Sequence, residues 1–420
     1  MTTRTTVVLI GAGHSAPAMS RRLTERSIDH VVLERGEVAN SWRRDRWDSL
    51  RLLTPNWQSG LPGLEYTGPD PDGFMTSPEV ADHLGAYARA IEAPVRSGVT
   101  VVSVAPADPG YRVTTDDGEY EADAVVLANG GSGIANTPPV ADGVPAGILS
   151  LTSKTYRSPE SLAEGRVLVV GASASGAQLA DEIARAGFEV TLAAGEHVRM
   201  PRSYRGRDVF WWMDAVGVLD ERYDEIDDII RARHVPSPQL VGSDDHRTVD
   251  IASLRARGVR LVGRVGRIHD GVAQFSGGLA NTVRLADLKL DRLLERFDAW
   301  AETNDDGFSE PTRATPTVVD DAPLLALDLA REGVGTIVWA TGYRPDYSWL
   351  DVPVLDYKGR LPHDGGVVRK SPGLYVMGTS LLRRRRSTYI GGAGQDSLEL
   401  AEHLAGYLSG RGVRSVDAVA

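Results

Sequence analysis

The fold is decided by the stretch Val7-Val8-Leu9-Ile10-Gly11-Ala12-Gly13-His14-Ser15-Ala16, in which a short apolar run leads into a glycine turn. The apolar run is too short for a typical helix and predicts a buried strand. A helical stretch over residues 17–26 and a second apolar run over 31–33 follow, and Glu34 ends that run. This order of strand, G-x-G-x-x-A turn, helix, strand and acid predicts a dinucleotide-binding unit rather than a chance glycine turn.

Each part of this unit has a physical role. Gly11 permits the tight turn, and the missing side chain of Gly13 lets a pyrophosphate approach the backbone. The small Ala16 allows close packing of helix and strand, while the helix N-terminus directs free N–H groups toward the phosphates. Glu34 can accept hydrogen bonds from both ribose hydroxyls of an adenosine.

Composition bounds the class of protein. The chain has 420 residues, enough for two or three domains, with 42% hydrophobic and 25% charged residues. A formal charge of -11 argues against non-specific binding of nucleic acid or of an anionic membrane. Because no apolar run could span a bilayer and no leader opens the chain, we expect a cytoplasmic protein. The absence of cysteine excludes a disulfide framework, and the nine scattered histidines predict no metal site.

A second glycine turn predicts a second nucleotide. The apolar run 167–170 leads into Gly171-Ala172-Ser173-Ala174-Ser175-Gly176, a helix over 177–185 and a strand over 190–193. No acid ends this second strand; Arg199 and Arg202 follow instead. Guanidinium groups there suit a 2′-phosphate, which favours NADP(H) over NAD(H), with a solvated basic loop as the alternative.

Three further apolar runs end in glycine turns and predict strand ends at the ligand edge of a parallel sheet. They end at Ala128-Asn129-Gly130, at Ala340-Thr341-Gly342 and at Gly378. Beyond the last of them lie four consecutive arginines, residues 383–386. These arginines are either a solvated run or partners of cofactor phosphates.

Two dinucleotide units in one chain predict hydride transfer from a nicotinamide to a flavin. We therefore predict an α/β fold with two Rossmann-like domains: an FAD domain over residues 1–150 and 334–420, and an inserted NADP domain over 151–333. Without cysteine, the chain holds no redox disulfide to receive the electrons. Another protein, a small acceptor or molecular oxygen remains as the acceptor.

The whole chain resembles the flavin-containing class B monooxygenases, including bacterial flavoproteins associated with potassium transport and the plant YUCCA enzymes. The residues that carry the resemblance are 11–16, 41–55, 171–176, 199–208, 340–343 and 382–394. One pattern of that family, F-x-G-x-x-x-H-x-x-x-F/W/Y, keeps its last aromatic residue as Tyr156 but has Ala146, Ile148 and Thr152 at the other positions.

The resemblance implies FAD and NADPH as cofactors, and molecular oxygen and a small organic molecule as substrates. It implies that oxygen adds to the reduced flavin at C4a and that one oxygen atom passes to a nitrogen, sulfur or carbonyl centre. A flavin reductase without oxygenation and a redox-sensing regulator stay open as alternatives, and so does the state of assembly, a homodimer included.

The resemblance and the motifs together predict the site residues. Thr54 and Asn56 are the catalytic candidates beside the isoalloxazine, Arg51 and Trp57 are candidates for the substrate side, and packing of the FAD domain is the alternative role. The predicted cofactor-binding residues are Gly11, Gly13, His14, Ser15, Ala16, Glu34, Arg35, Ser41, Trp42, Val102, Ala128, Asn129, Gly130, Gly171, Ser173, Ala174, Ser175, Gly176, Arg199, Arg202, Ala340, Thr341, Gly342, Gly378 and Ile390.

Overall fold

The structure is a computed structural model that describes residues 2–304, 307–320 and 322–411. The end of the predicted FAD domain, residues 412–420, lies outside this part of the chain. The strands are β1 (Thr2–Ile10), β2 (His30–Glu34), β3 (Val95–Ser97), β4 (Val101–Pro106), β5 (Tyr111–Thr115), β6 (Gly118–Leu127), β7 (Ile134–Ala135), β8 (Leu149–Thr152), β9 (Arg166–Val170), β10 (Val190–Ala194), β11 (Val198–Arg199), β12 (Ser203–Tyr204), β13 (Arg207–Asp208), β14 (Pro238–Gln239), β15 (Arg260–Gly263), β16 (Val265–His269), β17 (Val272–Phe275), β18 (Ala326–Asp328), β19 (Val334–Trp339), β20 (Tyr343–Arg344) and β21 (Leu374–Val376). The helices are α1 (Ser15–Thr24), α2 (Asn40–Arg44), α3 (Ser77–Ala90), α4 (Ala174–Arg185), α5 (Val209–Ala215), α6 (Ile229–Ala232), α7 (Ile251–Ala256), α8 (Leu279–Thr303) and α9 (Gly392–Gly410).

The first sheet has the order β3-β2-β1-β6-β5-β4, and β21 pairs with β6. Strands β2, β1 and β21 run parallel to their neighbours, whereas β4 and β5 form an antiparallel meander with β6. The sequence suggested two separate strands over 120–123 and 124–127, but the last meander strand continues unbroken into the buried run as β6. The α/β fold with parallel sheets predicted from the sequence is confirmed.

The second sheet is parallel throughout and has the order β15-β10-β9-β19-β8. Two of its strands, β8 and β19, overlap the stretches that we assigned to the FAD domain. The sequence could not show this, because the apolar run in β19 looks like the run in β6. Strand β19 joins the second sheet because it pairs with β9 on one side and β8 on the other.

The chain passes between the sheets twice, and the two passages meet. Strand β7 on the outward passage pairs antiparallel with β20 on the return. We call residues 149–339 the second unit. The first unit comprises the first sheet, the segments that connect its strands within residues 2–127, and the segment from β21 to α9. The helix α1 packs against α9, so the first and last helices of the first unit cover the same sheet.

Two helices differ from the sequence prediction. The stretch Thr76-Ser77-Pro78-Glu79 predicts a helix to about residue 93 with Ser77 as its N-cap. The N-cap of α3 is Thr76 instead, because Thr76 and Glu79 form a reciprocal capping box. The sequence predicts a helix over 285–302 whose core-facing positions are 285, 288, 290, 293, 294 and 297. The helix α8 begins earlier, and its buried positions include Leu290, Leu294 and Phe297. Leu285 and Leu288, which we assigned to the buried stripe, are exposed. Among the described residues no helix is both long and apolar enough to cross a membrane.

Candidate functional site

The first glycine turn needs glycine at Gly11. Its φ is +98°, and a Cβ there would lie 2.7 Å from the carbonyl oxygen of Ala128. Its N–H donates to the carbonyl of Leu33 at 2.8 Å, which draws β2 toward the turn. At Gly13, by contrast, the position of a Cβ has no heavy atom of the described chain within 4 Å. The backbone at Gly13 is therefore open to the approach of a ligand.

The helix that follows the turn places polar groups beside this opening. Ser15 and Ala16 are buried in the first turn of α1, and a Cβ at Gly378 would lie 2.7 Å from Ser15 Oγ. The Nε2 atom of His14 is buried and has no hydrogen-bond partner among the residues described. Burial lowers the pKa of His14 to about 4, so the ring is neutral at pH 7.

Glu34 is tied to the turn by its carboxylate. One oxygen accepts from the N–H of Ala12 at 2.8 Å and the other from the N–H of Gly36 at 2.9 Å. A carboxylate offers about four acceptor sites, so these two bonds leave capacity for a ribose. The next residue, Arg35, is exposed.

Val102 does not lie where we predicted. It is 51% exposed on β4, at the opposite side of the first sheet from β2. Val99 lies beside Glu34 instead, since its N–H donates to the carbonyl oxygen of Glu34 at 2.9 Å. The register of the meander, which the sequence left open, accounts for the difference.

Two other predicted segments line the same edge. Asn129 donates from Nδ2 to the carbonyl of Asp346 at 3.0 Å, and Gly130 has φ +74° with open space beside it. Ile390 is buried, and the next residue, Gly391, donates to the carbonyl of Gln58 at 3.0 Å. The structure thus brings the start of α9 against the segment that follows the catalytic candidates.

The second glycine turn repeats the geometry of the first. Gly171 has φ +106°, and a Cβ there would lie 2.4 Å from the carbonyl oxygen of Ala340. A Cβ at Gly176 would lie 1.8 Å from the carbonyl oxygen of Gly171, so close packing of α4 on the turn requires glycine. Ser173 is the N-cap of α4, and its hydroxyl makes no capping bond.

The remaining predicted residues of this turn surround its open side. Ala174 is buried and Ser175 is half-buried in the first turn of α4. Thr341 donates its hydroxyl to the carbonyl of Asn136, and Gly342 is exposed with φ +83°. These positions lie at the carboxyl ends of β9 and β19, the edge where nucleotides bind parallel sheets.

A segment that the sequence analysis did not identify lies over the second turn. The carbonyl of Ser237 accepts from the N–H of Ala174 at 3.3 Å. The fully buried Gln239 donates from Nε2 to the carbonyl of Ala172 at 2.6 Å. No spacing rule connects residues 237–239 with a turn so distant in sequence, so this contact was not predictable.

The structure contradicts the assignment of Arg199 and Arg202 to a cofactor phosphate. Arg199 is 7% exposed and donates to Asp250 at 2.7 Å, to Asp287 at 2.8 Å and to the carbonyl of Thr315 at 2.8 Å. Arg202 is 0% exposed and its Nη2 donates to Asp208 at 2.7 Å. Both guanidinium groups are committed inside the protein, because Asp250 and Asp287 neutralise Arg199 and the nearby Asp208 neutralises Arg202.

Arg264 is better placed to meet a cofactor phosphate than Arg199 or Arg202. It follows β15 directly, is exposed, and its aliphatic stem lies 3.9 Å from the position of a Cβ at Gly195, just beyond β10. Within the described chain it forms no salt bridge. Strands β10 and β15 are neighbours, so this guanidinium lies at the strand ends where a 2′-phosphate would be read.

The predicted catalytic residues have different surroundings. Thr54 is buried at 6% exposure. Asn56 donates from Nδ2 to the carbonyl of Asp70 at 2.9 Å and accepts from the N–H of Met75 at 2.8 Å, so both ends of its amide bond backbone groups. This arrangement favours the packing role for Asn56 over a catalytic one. Ser41 and Trp42 are half-buried on α2, and the guanidinium of Arg46 lies 5.1 Å from the Trp42 ring.

The four consecutive arginines, residues 383–386, form neither a solvated run nor a set of free partners for cofactor phosphates, because each is paired with a carboxylate. Arg383 and Arg384 donate to Glu399, Arg385 donates to Glu221 at 2.7 Å, and Arg386 donates to Asp214 and to Asp220. The sequence predicts a solvated helix face for the acidic stretch over 214–228, but Asp214, Asp220 and Glu221 in it bind two of these arginines. The run connects the second unit to the segment before α9.

Comparison with known proteins shows a family and a fold. Residues 8–207 match the family described as pyridine nucleotide-disulphide oxidoreductase. A CzcO-like oxidoreductase of Geobacillus kaustophilus is 30% identical over 394 residues, 93% of this chain and 95% of that protein. The indole-3-pyruvate monooxygenase YUCCA8 of Oryza sativa subsp. japonica is 25% identical over 420 residues, 95% of this chain and 90% of that enzyme.

A solved structure extends the comparison in three dimensions. The flavin-containing monooxygenase from Stenotrophomonas maltophilia superposes with a TM-score of 0.68 at 20% identity. The match covers 96% of this chain and 99% of that chain. At this identity the likeness shows a shared fold.

Proposed function

Since this chain belongs to the family of CzcO-like oxidoreductases, we propose that it is an FAD- and NADPH-dependent monooxygenase acting on a small organic molecule. The observation that carries the proposal is the repeated turn geometry, Gly11 against Ala128 and Gly171 against Ala340, in one chain without cysteine. Two dinucleotides fit such a chain, and no thiol of its own can receive their electrons. The family membership confirms the resemblance that the sequence showed.

The first unit fits FAD. The open approach at Gly13, the acceptor capacity of Glu34 and the unpartnered Nε2 of His14 suit a pyrophosphate and an adenosine ribose. The buried amide of Gln58 and the hydroxyl of Thr379 also find no partner in the described part of the chain. A bound flavin with several polar edges would satisfy such groups, whereas an apolar filling would not.

The second unit fits NADPH. The hydroxyl of Ser173, which makes no capping bond, and the N-terminus of α4 would hold the pyrophosphate, and Arg264 would pair with the 2′-phosphate. In this proposal the chain is two Rossmann-like domains, with the NADPH domain inserted into the FAD domain between the passages at β7 and β20. When bound, NADPH supplies a hydride and FAD carries the electrons on to oxygen.

The residues of the chain would work by position rather than as acids or bases. The N–H of Ala39 donates to the carbonyl of Ala12 in the first glycine turn at 2.8 Å. In the segment that follows, Thr54 is buried and Trp42 is half-buried, and they would shield the reacting centre from water. Because the amide of Asn56 is fully bonded to backbone, it would fix this segment instead of touching substrate. The substrate would be a small molecule with a nitrogen, sulfur or carbonyl centre.

A reductase that does not transfer oxygen is the second candidate. Thr152, at the end of β8, stands where the resembling family has a histidine, and Tyr156 is the one position of that pattern retained. The pattern begins at Ala146 and Ile148, in the passage before β8, and ends inside the second unit. This departure would act on the coupling between cofactor binding and oxygen transfer.

An oxygen balance separates the candidates. Purified protein supplied with FAD and NADPH is assayed for NADPH consumption, oxygen uptake and hydrogen peroxide with an amine, a sulfide and indole-3-pyruvate in turn. Monooxygenation predicts that one substrate lowers the yield of peroxide per NADPH and produces an oxygenated product. Peroxide equal to NADPH with every substrate would support the reductase, and failure of NADPH to bleach bound flavin would exclude both enzymes.

A further inference from the structure

Three consecutive residues of the first unit are each held by the second unit. Arg51 pairs with Asp244 through two hydrogen bonds of 2.8 and 3.2 Å. The carbonyl oxygen of Leu52 lies 2.1 Å from where a Cβ at Gly242 would be, so the two backbones touch. The carbonyl of Leu53 accepts from Nη1 of Arg202 at 2.8 Å. We call these three contacts the 51–53 clamp.

Arg202 is the buried member of the clamp. Its side chain is 0% exposed, and the guanidinium carbon lies 4.8 Å from the centre of the Phe74 ring and 5.3 Å from that of Phe210. Asp208 accepts from Nη2 at 2.7 Å and is itself fixed as the N-cap of α5. A guanidinium confined by two rings and a fixed carboxylate has little freedom, so it presents Nη1 in one direction.

The next residue in the chain is Thr54, the buried catalytic candidate. The side chain of Asn56, two residues further on, bonds the backbone of Asp70 and Met75. Thr54 therefore lies between two fixed points, the carbonyl of Leu53 on one side and the amide of Asn56 on the other. The orientation of the 53–54 peptide sets where the Thr54 side chain points.

Stability alone does not explain a charged residue at position 202. Apolar side chains of similar volume replace buried ion pairs in other proteins with little or no loss of stability. A methionine would fill the space between Phe74 and Phe210, but it could not bond the carbonyl of Leu53. What arginine adds at this position is a connection from the second unit to the first.

We propose that Arg202 is a positioning residue that fixes the 53–54 peptide, and with it the Thr54 side chain, against the flavin. The assignment rests on the proposed function, because it takes the flavin to lie beside Thr54. It makes the packing of the second unit a condition for the geometry of the flavin site. Arg202 itself contacts neither cofactor nor substrate in this proposal.

The test compares Arg202→Met with Arg205→Met, both made together with Asp208→Asn, so that no buried carboxylate is left without its partner. Arg205 lies in the same segment as Arg202 and pairs with Asp298 of α8. Among the described residues it bonds none of the first unit, so it is the matched control. Amide hydrogen exchange of the protein without added cofactor is measured over residues 53–57. Arg202→Met should accelerate exchange there about tenfold, as expected for the loss of one hydrogen bond to a charged donor, and Arg205→Met should not.

A second readout concerns the flavin. With FAD bound, Arg202→Met should change the visible circular dichroism of the flavin and raise the fraction of NADPH recovered as peroxide, with the KM for NADPH unchanged. Arg202→Lys should not restore either value, because one ammonium cannot bond Asp208 and Leu53 in the fork geometry of a guanidinium. Should Arg202→Met fail to fold, Asp244→Asn loosens the exposed end of the clamp and should shift both readouts in the same direction.

The outcomes separate the inference from the proposed function. Unchanged exchange over residues 53–57 in Arg202→Met, or in Asp244→Asn where that variant replaces it, overturns the positioning role even in an active oxygenase. Rescue of both flavin readouts by Arg202→Lys would also overturn it. Wild-type protein that takes up no FAD overturns the proposed function instead.

Discussion

The guanidinium of Arg199 and the carboxylate of Asp250 lie 2.7 Å apart, and both side chains are shielded from solvent. Asp250 is also the N-cap of α7, where it accepts from the N–H of Ser253 at 2.8 Å. Removing the arginine leaves a buried carboxylate without its main partner. We expect Arg199→Ala to lower the free energy of unfolding by about 3–5 kcal/mol.

Urea unfolding of the protein without added cofactor measures this loss. Arg21→Ala is the control, because Arg21 and Glu25 form an exposed pair at 2.9 Å that we expect to contribute at most about 1 kcal/mol. Equal losses in the two variants would contradict the structural role of Arg199. Arg199→Ala should also weaken NADPH and NADH alike, since Arg199 bonds carboxylates rather than a phosphate.

Arg264 should determine the preference for NADPH. Its guanidinium is exposed beyond β15 and beside Gly195, so removing it costs no buried pair. We expect Arg264→Ala to weaken NADPH binding about 10- to 100-fold, the effect of losing a charge-assisted hydrogen bond, and to leave NADH binding unchanged. Titration of both cofactors by isothermal calorimetry makes the comparison, and a parallel loss for NADPH and NADH would refute the assignment.

Gly13 and Gly11 should respond to a side chain in opposite ways. A Cβ at Gly13 meets no described atom within 4 Å, whereas one at Gly11 meets the carbonyl of Ala128 at 2.7 Å and requires φ +98°. We expect Gly13→Val to change the stability of the protein without cofactor by less than about 0.5 kcal/mol. The same variant should lose FAD, because the side chain blocks the approach to the backbone.

Gly11→Ala should instead destabilise the protein before any cofactor binds, by about 1–3 kcal/mol, the cost of a strained backbone position. Thermal unfolding and the FAD content of the purified variants distinguish the two effects. Gly13→Val that retains the FAD content of the wild type would show that the flavin does not approach here.

Asp396 should make stability depend on pH in the acid range. The residue is 1% exposed on α9, and burial raises the pKa of its carboxyl from the ordinary 3.8 to about 6. The folded state then holds a proton that the unfolded state has released between these values. Stability should therefore be highest below about pH 4 for this group and fall as pH rises to about 6, by about 1–3 kcal/mol.

Asp396→Asn should remove this part of the pH dependence and stabilise the protein at pH 7. Urea unfolding at a series of pH values measures the difference between wild type and variant, with the exposed Asp72→Asn as the control. A difference that is constant with pH would show that Asp396 does not titrate in this range.

The sequence could predict the glycine turns because a local steric rule decides them. At Gly11 and Gly171 the turn itself has φ +98° and +106°, a conformation that favours glycine whichever strand end packs beside it. The same locality allowed prediction of the strand His30–Glu34 and the helix that precedes it.

The burial of Arg199 and Arg202 could not be predicted, because each has a partner far away in sequence. The amide of Asn56 bonds the backbone of Asp70 and Met75, which no local rule connects with it. Arg199 meets Asp250 and Asp287, 51 and 88 residues further on, and Arg202 meets Leu53, 149 residues before it. A guanidinium after a strand looks the same in a sequence whether it faces a phosphate or a buried carboxylate.

Strand β19 posed the same difficulty on a larger scale. The apolar pattern of β19 is like that of β6, so the pattern cannot tell to which sheet each strand belongs. Only the pairing partners of the strands decide this. The register of the meander at Val102 and the rotation of α8 at Leu285 were likewise set by packing. In each case the type of element was predictable, but the neighbour of each side chain was not.

The 51–53 clamp has a consequence for engineering. Exchange of the segment between β7 and β20 for the NADPH domain of another protein would remove Arg202, Gly242 and Asp244. Their partners, residues 51–53, would stay in the chain. In such a chimera the two units should lack the contacts of the 51–53 clamp, and the peptide before Thr54 should be misaligned. A successful exchange would have to include residues 51–53 and Phe74 together with the new domain. The boundary suited to recombination therefore differs from the passages between the two sheets.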